Sequence, residues 1–85
     1  MQEIPLTEPY TSLEGVATRF VKMRPKVLVG DWRYVNKISS TAEERTFQMV
    51  CRLCGLDAKE VESMCMADFT MLAEKVDMGD NPKAQ

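Results

Sequence analysis

Residues 41–61, Thr41-Ala-Glu-Glu-Arg-Thr-Phe47-Gln-Met49-Val50-Cys51-Arg-Leu53-Cys54-Gly55-Leu56-Asp57-Ala58-Lys59-Glu60-Val61, decide how this chain is read. Phe47, Val50, Cys51 and Cys54 stand at i, i+3, i+4 and i+7, one face of a helical period. Upstream, Thr41 with Glu44, or Ser40 with Glu43, has the spacing of a capping box. Gly55 follows the last periodic residue, where a left-handed stop is expected. Asp57 then caps a second, short helix, with Glu60 at its third position completing a capping box. Leu56 and Val61 flank that cap as a hydrophobic staple.

Downstream of this pair the helical reading continues. Phe69, Leu72, Ala73 and Val76 repeat the same period, and Asp68 stands at the positive end of that helix's dipole. Gly79-Asp80-Asn81-Pro82 stops it, leaving a frayed tail over 78–85. Upstream the character changes. Ile4 and Leu6 alternate with polar neighbours, and Pro5 and Pro9 confine them to an edge strand or a strand end. Tyr10 to Gly15 is polar and reads as a connecting loop. Val16 to Met23 is rich in β-branched and aromatic residues and reads as a second strand, either face of which could be the buried one. Arg24-Pro25 ends it. Asp31 is expected to cap a short turn through Trp32, Tyr34 and Val35, whose large side chains would enlarge a small core.

The predicted architecture is therefore α+β. A two-stranded N-terminal β-hairpin packs on a C-terminal bundle of three to four short helices. Strands are expected at 3–9 and 16–23, and helices at 41–54, 58–64 and 67–77, in one domain over residues 1–85. A chain of 85 residues supports only one core and buries roughly 60% of its unfolded surface.

Composition removes whole classes of chemistry. With no histidine there is no Ser-His-Asp or Cys-His pair, no imidazole acid/base and no His-ligated metal. Cys51-Arg-Leu-Cys54 with Cys65 supplies three thiols and lacks the usual fourth zinc ligand. The first two thiols fall late in a helix, where the dipole disfavours a thiolate, so they read as core residues. Glu43, Glu44, Glu60 and Glu62 lie at helix starts, where dipole and capping account for them. There is no Gly-rich phosphate loop and no nucleophile elbow. No enzyme, metal site or cofactor is expected.

The net charge of −2 is spread as +1 over 1–30, −2 over 31–76 and −1 over 77–85, so no segment is a basic footprint for nucleic acid. No apolar run approaches the ~20 residues of a membrane span. The N-terminus lacks the flank of a signal peptide, and the odd cysteine count fits a reducing cytoplasm. Arg19, Lys22, Arg24 and Lys26 form the one basic concentration, a solvated strand face or a dock for an acidic partner. At about 100° per residue, Met49 and Leu53 fall opposite Phe47 and Val50, as expected of a helix buried on two sides. Met71 falls among Asp68, Glu74 and Lys75 and is expected to be exposed. Met49, Leu53, Met71, Arg24 and Lys26 are thus the candidate partner-binding residues, methionine offering a soft, adaptable contact.

Taken in order, the elements resemble a small family. The pattern runs Ile4-x-Leu6-x-x-Pro9, then Met23-Arg24-Pro25-Lys26 with Gly30-Asp31, then Leu53-Cys54-Gly55-Leu56 into Asp57–Val61 with Glu60. It closes with Met64-Cys65-Met66-Ala67-Asp68-Phe69-x-x-Leu72. This resembles the tail assembly chaperones of Mu-like prophages and other contractile-tailed bacteriophages over most of residues 4–76. Relative to the family pattern, the stretch from Pro25 to Asp31 is longer, Phe69 replaces a common Tyr, and Met64 stands where Leu is frequent. The resemblance implies a non-catalytic protein of the host bacterial cytoplasm. Such a protein binds the tape measure protein, keeps it soluble during tail assembly and is absent from the mature virion. It further implies a frameshift-extended form diverging after Val76, and a second copy of the chain is another candidate partner. Two other classes compete. One is a structural component of the tail. The other is a small helix-turn-helix regulator over Asp57–Val76, disfavoured by the acidic balance of residues 31–76.

Overall fold

In the computed structural model, which describes residues 2–24 and 26–76, a β-hairpin precedes four helices. The strands are β1 (Gln2–Thr11) and β2 (Ala17–Met23), and the helices are α1 (Val29–Ile38), α2 (Ala42–Cys54), α3 (Ala58–Glu62) and α4 (Met66–Lys75). The α+β expectation holds. Pro25 and the tail over 78–85 lie outside the described residues.

The hairpin is antiparallel and carries one large irregularity. Ile4 pairs with Val21 and Pro5 with Phe20, whereas Tyr10 pairs with Thr18, so Leu6–Pro9 stand opposite Arg19 alone. Pro5 and Pro9 bound this interruption, and neither has an N–H to give to a ladder. Strand β1 outruns the expected 3–9, because Tyr10 and Thr11 resume pairing after the bulge. Tyr10 is accordingly a buried core residue rather than part of a loop. The turn itself is pinned by the Ser12 side chain and the positive φ of Gly15. Of the two faces of β2, Val21 and Met23 face the core and Phe20 faces solvent.

The core gathers Ile4, Leu6, Val21 and Met23 from the hairpin, Val35 from α1, Met49, Val50 and Leu53 from α2, and Leu72 from α4. Helix α2 is central, touching β2 and the other three helices. Its start and stop are those read from sequence: the Thr41 hydroxyl accepts from Glu44 N–H at 3.1 Å, and Gly55 takes φ 67°. The last α2 carbonyls are also used. Arg24 N–H donates to Leu53 C=O at 3.0 Å, tying the end of β2 to the end of α2.

Every helix has an acid at its third position: Asp31, Glu44, Glu60 and Asp68. Glu60 completes the α3 capping box by accepting from Asp57 N–H at 2.9 Å, and its second oxygen accepts from Leu13 N–H at 3.0 Å in the hairpin turn. One carboxylate thus caps a five-residue helix, too short to be stable alone, and anchors it to the strands.

Helix α1 corrects the sequence reading. The stretch after residue 28 is a ten-residue helix, not a short turn, and Asp31 stands at its third position, where it caps the helix start by accepting from Leu28 N–H. Trp32 and Tyr34 remain exposed, because α1 buries only Asp31 and Val35. Beyond Val35, this helix adds little to the core.

Candidate functional site

Three arrangements stand out: two buried aspartates and one groove. Asp31 is 2% exposed and is held by four donors. Arg24 grips it with both terminal nitrogens at 2.8 and 3.0 Å, Arg52 Nε donates at 2.6 Å, and Leu28 N–H donates at 2.9 Å. The Arg24 hydrogen bonds hold its carboxyl well below the usual carboxylate range, overcoming the desolvation that would raise it. Arg52 also stacks on Tyr34, 4.5 Å from the ring centre. A single buried anion thereby joins the end of β2, α1 and α2.

Asp68, 1% exposed, does the same between the ends of the chain. Thr7 N–H and its hydroxyl both donate to Oδ1 at 3.0 Å, and Glu8 N–H donates to Oδ2 at 3.1 Å. The two amides are backbone donors that the β1 bulge leaves without a strand partner. Their hydrogen bonds, that of Thr7 N–H foremost, lower the Asp68 pKa. The dipole role read from sequence is therefore secondary to a direct tie between α4 and β1.

The groove lies between α1, α2 and α4, with a volume of about 340 Å³. Trp32, Val35 and Asn36 form one wall, Ala42, Arg45, Thr46 and Met49 the floor, and Ala73 and Val76 the far side. On the outer surface of α1 a shallower depression shares Trp32 and Asn36 and adds Arg33 and Lys37.

The sequence-predicted contact residues are dispersed. Met49 is buried at the groove floor, and Leu53 is enclosed in the core at 1% exposure. Met71, expected to be exposed, is half-buried and packed against the core, so Met71→Lys would disturb packing as well as any contact. Arg24 is occupied by Asp31, while Lys26 is exposed. Phe69 is half-buried, its ring 6.2 Å from that of Phe47. Gly55, Asp57 and Glu60 hold the α2–α3 junction. Sequence reasoning missed Trp32 and Arg45 as groove residues. The signal was the chain's one tryptophan standing beside Arg33 and near Lys37.

The thiols behave as core groups. Burial pushes Cys51 and Cys54 up to about 11, and Cys65 is only partly buried. Ellman's reagent at pH 8 should therefore label Cys65 rapidly and the other two only on unfolding; rapid labelling of three thiols in the native protein would contradict this placement. Among the described residues no group of three or more Cys, Asp or Glu is placed to hold a metal ion. Nor is any described helix long and apolar enough to cross a membrane. Against a helix-turn-helix reading, α3 has five residues and the exposed residues of α4 include one cation, Lys75.

No curated protein and no solved structure matches the chain. A family model does: that of phage tail assembly chaperone proteins, E, or 41 or 14, over residues 3–78. That span takes in the bulged hairpin, both buried aspartates and the groove, and on it the chain belongs to the phage tail assembly chaperone family.

Proposed function

We propose that the protein binds the tape measure protein and keeps it soluble while the tail is assembled in the host bacterial cytoplasm, and that it is left out of the finished virion. Membership of the tail assembly chaperone family carries this reading. The surface supports it. Leu28, Val29, Trp32, Tyr34 and Ile38 are each 45% exposed or more, an apolar concentration on one short helix that offers cover for apolar stretches of a client. The family also favours a binding role over a catalytic one. A frameshift-extended form would diverge beyond Val76, the last described residue.

Co-expression tests the proposal. The tape measure protein should shift from the pellet to the soluble fraction and co-purify with this chain. A client that stays insoluble and unbound would refute it. Peptides of this chain in purified virions at stoichiometric level would instead make it a structural component of the tail.

A further inference from the structure

The geometry points to the α1–α2–α4 groove as a docking site for an acidic amphipathic helix, with its apolar face against Trp32 and Met49 and its carboxylates toward Arg33, Lys37 and Arg45. This assignment rests on the proposed client-binding role and names where the client sits and what chemistry it carries. The floor and walls are apolar apart from Asn36, Thr46 and Arg45. Arg45 is the one charged side chain lining the groove, and Arg33 and Lys37 line the adjoining depression across Trp32. Neither lining contains an acid. Among the described residues the ion pairs are those of Arg24 and Arg52 with Asp31, so Arg33, Lys37 and Arg45 have no carboxylate partner there. An apolar trough with Arg45 in its lining, and with Arg33 and Lys37 beyond Trp32 on the adjoining outer face of α1, is complementary to a helix with an apolar stripe and acidic flanks. Trp32, half-exposed on the wall, has the size and position of an anchor residue.

Trp32 is the chain's one tryptophan, so its emission reports on the groove wall and the depression beside it. Two synthetic helical peptides of about 15–20 residues, identical in a leucine face but flanked by Glu or by Lys, serve as probes. The Glu-flanked peptide should blue-shift Trp32 emission and bind about tenfold tighter than its counterpart, with the difference shrinking at high salt. Arg45→Glu, at an exposed position early in α2 where an acid suits the helix dipole, should narrow or reverse the preference with the fold intact by circular dichroism. Equal binding of the two peptides, or binding without a Trp32 shift, would overturn the assignment. So would a blue shift that grows with protein concentration alone, which would seat a second copy in the groove. Displacement of the Glu-flanked peptide by a peptide of residues 77–85 would do the same, giving the groove to the chain's own C-terminal segment. In the co-expression assay, a Trp32→Lys/Arg45→Glu variant that still co-purifies with the tape measure protein would remove the groove but leave the proposed function standing. Failure of the unaltered protein to co-purify would remove that function itself.

Discussion

Asp68→Asn is expected to lower stability by about 2–4 kcal/mol, although the two side chains have nearly the same shape. In the native protein both carboxylate oxygens accept, Oδ1 from the Thr7 amide and hydroxyl, Oδ2 from the Glu8 amide. Asparagine offers one acceptor oxygen and places an NH2 against a backbone donor. At least one part-buried N–H then loses its charge-assisted partner. For a domain of this length the change corresponds to a drop in melting temperature of about 10–30 °C. Calorimetry would check it, with Thr7→Val as a milder companion that removes only the hydroxyl. A fall of less than about 3 °C for Asp68→Asn would mean that the α4–β1 tie contributes little.

Asp31→Ala should cost about 2–3 kcal/mol and should also change the response to acid. The loss leaves Arg24 and Arg52 facing each other without their anion, and Leu28 N–H without an acceptor. The cost is smaller than for a fully buried pair, because the arginines are 35% and 39% exposed and solvent screens them. Asp31 and Asp68 both ionise in the folded protein below the ordinary carboxylate value of 3.8. The unfolded chain therefore takes up protons first as pH falls. The stabilisation from both groups is complete above about pH 5 and is lost progressively below about pH 4. Melting temperature followed from pH 6 to pH 2 should fall steeply in the native protein. It should fall less steeply in Asp31→Ala, which starts lower but has one fewer depressed carboxylate to titrate. Parallel curves would show that Asp31 does not contribute to the acid limb.

What could be read from sequence divides by how far each residue's decisive partner lies along the chain. The α2 cap at Thr41, the stop at Gly55 and the Asp57–Glu60 box are settled within four residues, and each stands where the pattern placed it. Local spacing shows the capping role of Asp31 but not its ion pairs, because Arg52 lies 21 residues away. A cap reading was the best that local spacing allowed. The same holds for Asp68, whose donors are 60 and 61 residues distant. Val29 and Gly30 are poor helix formers, so the start of α1 carried no propensity signal. Met71 was placed by wheel angle alone, which ranks residues by direction and takes no account of how closely a neighbouring element approaches. The groove was illegible for a related reason. Trp32, Met49 and Val76 come from three helices, and only their packing makes one surface of them.

The β1 bulge bears on how the chain is made. Until Asp68 has been synthesised and α4 has docked, the amides of Thr7 and Glu8 are open donors on the first strand of a nascent polypeptide. The N-terminal hairpin can pair within residues 2–23, but its bulge lacks its carboxylate until residue 68 has been translated. The tie between the bulge and α4 waits for nearly the last described element, a contact of high sequence separation. A fragment released before residue 68 would present an unfilled strand gap, the kind of surface that recruits other strands into aggregates.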